Sequence, residues 1–552
     1  MEKQPVTHVL ISDDQGIVRK STKYHPSVWG DYFIQNSSLN LLEESTQRMI
    51  KRVEELKVQI KNMFKETDDV VQLMNLIDSV EILGLDYHFE NEINEAIRLI
   101  YQVDGKSYGI YETSLRFRLL RQHGYYVNAD TFNNFKDENG SFISALNGDA
   151  KGLLSLYNAS YLGTHGETIL DEAMSFTKSQ LISLLSELEQ SLATQVTLFL
   201  EIPQYRRIKF LLARKYILIY QEDAMRDDAI LELAKLNFNL LQSLHRDELK
   251  KISIWWNDLA LAKSLNFTRD RVVECYYWIL AMYFEPQYSR ARVICSKVIS
   301  LLSIMDDIYD NYGTLEECTL LTEAIKRWNH QAVDCLPEYL KDYYLKLLKT
   351  CEEFEEELEL NEKYRVLYLQ YEMKAQVISY LEEAKWGIER HVPSLDEHLH
   401  NSLISSGCSI ISCASFVGMG EMATKEVFEW HSSFPKAIEA CCVIGRLLND
   451  IRSHELEQGR DHVASTVESY MKEHDTNAKV ACNKLREIVE KAWKDLNNES
   501  LNLTKVPRPI FERVLNFSRS MEEIYRYIDM YTNSDTTMKD NVSLLLIEPL
   551  PI

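Results

Sequence analysis

From Leu39 to Phe64 the apolar positions Leu42, Met49, Ile50, Val53, Leu56 and Ile60 recur at the spacing of an amphipathic helix, with Glu and Lys between them. The pattern continues along the first half. Val70–Leu83, Asn91–Gln102, Ser114–His123, Ala150–Asn158, His165–Leu192 and Arg206–Gln221 each predict a helix. Short polar or glycine-containing turns such as Lys136–Ser141 and Gly163–Gly166 separate them. Strand signals are almost absent, and only 18 glycines and 11 prolines punctuate 552 residues. The expected fold is therefore all-α, built from paired helices as a helical barrel or an α-solenoid. No repeat of fixed period supports the solenoid. Length suggests more than one domain, and acidic residues interrupt the helical pattern across Tyr220–Asp228. The expected division is residues 1–226 and 227–552, without a flexible linker.

A net charge of −23 disfavours nucleic acid or an anionic membrane surface as a partner. An anionic small molecule needs metal ions or a local arginine cluster to offset that field. No apolar run reaches transmembrane length. The start of the chain carries Glu2, Asp13 and Asp14 and has neither the apolar core of a signal peptide nor the character of a transit peptide. A cytoplasmic protein without membrane insertion is expected. All 10 cysteines lie between Cys275 and Cys482 with no zinc-like or secreted-disulfide spacing, so reduced, buried thiols are expected.

The chemistry is concentrated in the second half. Asp306, Asp307 and Asp310 close an apolar helical run, Val298 to Met305, and positions i and i+4 put Asp306 and Asp310 on one face. Like charges there repel, and Mg²⁺ held by one or two carboxylates plus substrate phosphates resolves the conflict. A D-D-x-x-D string arises by chance in roughly one such sequence in ten, so it needs corroboration. Asn449, Ser453 and Glu457 supply it. Spaced by four, they line one face of a helix that follows the mostly apolar run Cys441–Leu448. An amide, a hydroxyl and a carboxylate are hard ligands suited to Mg²⁺. Arg446 lies three residues before Asn449, and Arg269 and Arg271 precede an aromatic helix with Tyr276, Tyr277 and Trp278. Guanidinium groups suit phosphate oxygens, so carboxylates, metal and arginines together make a diphosphate site. Taken singly, each motif also has an ordinary reading: a solvated acidic face, a polar stripe, a surface ion-pair cluster, a core tryptophan.

In combination these motifs resemble the plant terpene synthases, specifically the angiosperm sesquiterpene cyclases. The resemblance spans nearly the whole chain. It includes Tyr-His-Pro-Ser-Val-Trp-Gly-Asp-Tyr-Phe at Tyr24–Phe33, Arg-Asp-Arg-Val-Val-Glu-Cys-Tyr-Tyr-Trp at Arg269–Trp278 and Tyr-Phe-Glu-Pro-Gln-Tyr at Tyr283–Tyr288, besides both metal motifs. It implies two helical domains: an α-barrel-like N-terminal one, with residues 1–35 as a capping segment, and a C-terminal class I terpenoid synthase bundle. It implies three Mg²⁺ ions, with Mn²⁺ able to substitute, on Asp306, Asp307, Asp310, Asn449, Asp450, Ser453 and Glu457. Arg269, Arg271 and Arg446 would take up the departing diphosphate. Trp278 would face the carbocation, with Tyr525, Asp529 and Tyr531 near a C-terminal lid loop.

Ile299 and Ser303, two turns and one turn before Asp307, are expected to form deeper wall. Gly407, in the Ser405–Cys408 stretch, marks a helix break that exposes backbone to the cation. The substrate implied is farnesyl diphosphate, for a monomer that releases diphosphate and a sesquiterpene. Two departures bear on this. The tandem arginine of many relatives reads Arg19-Lys20 here, followed by Trp29, which fits a sesquiterpene enzyme better than a monoterpene one. No D-x-D-D motif occurs in the first half, which excludes protonation-initiated cyclisation. The alternatives are a chain-elongating prenyltransferase, which would carry a second Asp-rich motif, and an inactive helical scaffold.

Overall fold

A computed structural model describes residues 8–12, 18–22, 24–36, 43–103, 107–261, 264–457 and 464–552. Almost all of its regular structure is helical. The exception is a hairpin, β1 (His8–Ser12) paired antiparallel with β2 (Val18–Thr22), where the sequence carries little strand signal. No helix among the described residues is long and apolar enough to cross a membrane.

The chain forms two compact units. One comprises Leu39–Leu244, Trp493–Thr504 and Ser543–Ile552. Its helices follow the apolar periods closely: Glu43–Glu66, Val70–Ile82, Glu90–Gln102, Ile110–Gln122, Ala150–Ser160 and Lys209–Gln221. The span expected as one helix over His165–Leu192 is instead Thr168–Leu184, a 3-10 turn, and a new helix starting at Gln190. Extended backbone at Leu188 and Glu189 makes the break, with neither Gly nor Pro to announce it. Buried Arg121 stitches this unit together, donating to Glu167 and to the carbonyls of Leu162 and Val127.

The other unit comprises Met1–Ser38, His245–Ala492 and Lys505–Val542, so the N-terminal residues belong with the metal motifs. The division therefore falls inside the helix Asp228–Leu259, whereas the 226/227 boundary precedes that helix. Helices Val272–Met282 and Cys408–Val417 are buried at every position, as their largely apolar composition allows, with Glu274, Ser409, Ser412 and Ser415 the buried polar exceptions. The aspartate helix, Ser289–Asp307, packs on both. At its start the fit is so close that a Cβ on Gly418 would stand 2.5 Å from the Ala291 Cα. Helix Tyr364–Glu389 packs on Cys408–Val417 from another side, and Lys436–Glu457 packs on Arg508–Ile524. These helices surround one cavity.

Candidate active site

The aspartate helix changes character at its end. Its α-helical part stops at Asp307, and Ile308–Tyr312 forms a π-helical turn, so Asp310 lies beyond the regular i+4 register. Such turns recur where helices carry function. Asp306 and Asp310 both face a cavity of about 360 Å³, while Asp307 is fully buried behind them. Arg269 holds this side together. Its guanidinium pairs with Asp306 at 2.5 Å and Asp307 at 3.0 Å, and its backbone N–H donates to Asp307 at 2.7 Å. Burial pushes the Asp307 carboxyl up, against the pull of Arg269. The same guanidinium lies 5.2 Å from the ring centroids of both Tyr24 and Tyr531.

The helix Lys436–Glu457 forms the opposite side. Arg446, Asn449, Asp450 and Ser453 line the cavity. Arg446 donates to Asn449 Oδ1 and pairs with Asp450 at 2.5 Å. Asp450 is more committed than its neighbours. Its second oxygen accepts from the Thr466 N–H at 2.9 Å and the Thr466 hydroxyl at 2.5 Å, so the carboxylate anchors Arg446 and the start of helix Thr466–His474. Glu457 ends the helix, and its side chain lies outside the described residues.

Glu383 sits between these sides and had no part in the sequence motifs. It lines the cavity and accepts from Ser405 Oγ at 2.5 Å. Burial, with the like charges of Asp450 and Asp306, pushes it up to about 7 against the pull of Arg446 and the Ser405 hydroxyl. The signal for it is a carboxylate three residues beyond buried Tyr380 and seven beyond buried Gln376, which continues an inward stripe.

Beneath this polar rim the cavity is apolar and aromatic: Trp278, Ile299, Leu302, Ile411, Phe517 and Met521. Ser303 also lines it and accepts from the Tyr531 hydroxyl at 2.6 Å. Tyr525 and Asp529 close the same wall. Gly407 breaks the helix as expected. It adopts φ +75° between Leu395–Ser405 and Cys408–Val417, a left-handed conformation that favours glycine, with the Leu302 side chain packed directly against it.

Arg271 points elsewhere. Buried outside the cavity lining, it donates to the Asp270 carbonyl and to the His25 carbonyl at 2.9 Å each, which ties down the N-terminal segment and brings Tyr24 to the cavity. A second tie lies at Arg19. Its guanidinium meets Glu317 at 2.6 and 2.7 Å and stands 4.7 Å and 5.3 Å from the ring centroids of Tyr312 and Tyr339. Glu317 completes a capping box with Thr314 directly after the π-helical turn.

The donor set suits a hard divalent cation. Among the described residues no three His, Cys, Asp or Glu side chains converge as a ready cage. Mg²⁺ requires none, since it keeps water and phosphate oxygens alongside one or two carboxylates.

Comparison with known proteins agrees with this geometry. Residues 257–495 match the family model described as terpene synthase family, metal binding domain, and residues 28–200 match the terpene synthase N-terminal domain. The chain is 80% identical over 549 residues to β-eudesmol synthase of Zingiber zerumbet, covering 99% of both. It is 75% identical over 552 residues to (+)-germacrene D synthase of Zingiber officinale, covering 100% of both. Among solved structures it resembles isoprene synthase from grey poplar leaves (Populus x canescens) in complex with three Mg²⁺ ions and dimethylallyl-S-thiolodiphosphate. The TM-score is 0.86 at 32% identity, covering 95% of this chain and 99% of that one.

Proposed function

The chain belongs to the terpene synthase family, and from that premise we propose that it is a sesquiterpene synthase that ionises farnesyl diphosphate and cyclises the resulting cation, releasing diphosphate. One observation carries the reading: a single cavity joins a rim of carboxylates and arginines to an apolar, aromatic floor. An amphiphile with a diphosphate head and a hydrocarbon tail matches both ends.

Asp306 and Asp310 on one side, with Asn449, Ser453 and Glu457 on the other, are the residues that would hold three Mg²⁺ ions, with Mn²⁺ able to substitute. When bound, the metal supplies Lewis-acid stabilisation of the negative charge that develops on the leaving diphosphate. Arg269 and Arg446 contribute to the same stabilisation as preorganised donors at the rim. The C–O bond breaks heterolytically, its electron pair leaving with the diphosphate oxygen and the allylic cation staying over the floor. Trp278 lines the floor, where its π system can stabilise that cation. Tyr531 is held beside the indole by Ser303 and by Cys275, whose sulfur is 3.4 Å from the Tyr531 hydroxyl. Tyr24, with Arg19 and Arg271 anchoring its segment, helps exclude the water that would quench the cation. Loss of a proton, or capture by one water molecule, completes the reaction as hydrocarbon or alcohol.

The test is incubation of purified protein with farnesyl diphosphate and Mg²⁺, with gas chromatography of the products and assay of released diphosphate. Cyclic C15 products with matching diphosphate are expected. A longer prenyl diphosphate on adding isopentenyl diphosphate, or no turnover of any prenyl diphosphate, refutes the proposal.

A further inference from the structure

The indole of Trp278 meets the cavity on one side and a group of rings on the others. Tyr531 lies at 5.4 Å, Tyr525 at 6.1 Å and Phe517 at 6.4 Å between centroids. Ring contacts of this kind tolerate more than one orientation of an indole, because offset and edge geometries differ little in energy. The polar edge decides among them. Trp278 Nε1–H donates to Ser520 Oγ at 2.9 Å. Ser520 is fully buried and lies behind the cavity lining, not in it. Its own hydroxyl donates to the Phe517 carbonyl at 2.6 Å, so its lone pairs are left facing the indole. One turn of the helix Arg508–Ile524 thus sets Phe517 in the cavity wall and, through Ser520, orients Trp278 beside it.

A cation interacts with the face of an indole far more strongly than with its edge, so the orientation of the ring decides which cationic carbon is stabilised. We propose that Ser520 is a positioning residue: by fixing the Trp278 indole it sets which face the carbocation meets, and so governs product choice. The proposal rests on the sesquiterpene synthase reading above. Removing the hydroxyl leaves a buried N–H without its acceptor, and the indole is then free to turn toward other partners.

Ser520→Ala, Trp278→Phe and the double variant, assayed with farnesyl diphosphate and Mg²⁺ for diphosphate release and for product composition, provide the test. For Ser520→Ala, diphosphate release stays within about two-fold of the parent, because the rim is untouched. The ratio of main product to all others falls about five-fold, equivalent to about 1 kcal/mol at roughly 1.36 kcal/mol per decade. On the Trp278→Phe background, which has no N–H to orient, the second substitution changes nothing further. A purely structural role would give the same shift on both backgrounds, and that result overturns the proposal. Parental proportions in Ser520→Ala overturn it equally. Should Ser520→Ala fail to fold, Ser520→Cys keeps a weaker acceptor and gives an intermediate ratio, with an unshifted ratio again counting against the role. If the parent protein makes no C15 product, the functional reading fails and this proposal fails with it. Turnover with unchanged proportions removes only the role of Ser520.

Discussion

Replacing Arg19 by Ala tests how the N-terminal segment is held. Arg19 is 6% exposed and makes two charge-assisted hydrogen bonds to Glu317, at 2.6 and 2.7 Å. Its guanidinium also lies against the rings of Tyr312 and Tyr339. Removing one member of a buried pair costs about 3–5 kcal/mol. Glu317 would keep its hydrogen bonds from the Thr314 N–H at 2.9 Å and the Tyr339 hydroxyl at 3.1 Å, so the lower end applies, about 3 kcal/mol. That energy acts on docking of the segment, not on the whole unit. It raises the undocked population about 100-fold, since each decade is about 1.36 kcal/mol. Once undocked, the ten residues of β1 and β2 are an isolated two-stranded hairpin, which is marginal in water. Its amides should therefore exchange with solvent about two decades faster, while those of Val272–Met282 keep their protection. Hydrogen exchange read by mass spectrometry on peptides covering 8–22 gives the measurement. Glu317→Ala should reproduce the acceleration, and the double variant should add little to either single change. Exchange within two-fold of the parent in Arg19→Ala would show that the segment is held by something other than this pair.

The same contact has a pH signature. Burial acts to raise the Glu317 carboxyl, but Arg19 and the Thr314 N–H outweigh it and hold the group below its ordinary value of 4.5. A depressed acid stabilises docking above that value and loses its contribution as pH falls through the lowered one, so protection of 8–22 should be flat near neutrality and collapse only in acid. Asp306→Ala should lower diphosphate release by more than about 100-fold. Its thermal midpoint should stay near the parent's, because Asp306 is 32% exposed and Arg269 keeps its pair with Asp307; near-normal release would remove Asp306 from the proposed metal site. Gly407→Ala should destabilise by about 1–2 kcal/mol in denaturant titration, from the left-handed backbone and from a Cβ 3.1 Å from Leu302 Cδ2. It should also alter the product mixture, and an unchanged mixture would show that this helix break does not touch the substrate.

Much of this molecule was legible in its sequence, for identifiable reasons. Helices such as Val70–Ile82 and Glu90–Gln102 declare themselves because one face is buried and the period is unbroken. The break near Leu188 is silent, since ordinary residues take up the extended backbone there. The hairpin is silent for a related reason: two five-residue strands are too short to show a period. At the site, spacing brought out Asp306, Asn449 and Ser453, because residues one helical turn apart share a face, whereas Asp310 reaches the same cavity across a π-helical turn. Spacing along one helix does not report what another helix contributes, so Glu383 escaped notice. Nor does it report direction. Arg271 has the neighbourhood of a phosphate ligand and spends its guanidinium on the backbone of His25.

The internal pairing of the rim has one more consequence. Within the rim itself, Arg269 is paired with Asp306 and Asp307, and Arg446 with Asp450. If the rim binds its ligands as proposed above, an incoming diphosphate would draw the arginines away from those carboxylates, and an incoming cation would draw the carboxylates away from those arginines. Each ligand releases the partner that the other needs. Linkage then requires that each strengthen the binding of the other by the same factor. On the functional reading proposed above, such a rim would act as a coincidence detector, answering weakly to either ligand alone and closing its circuit of charges only when both arrive.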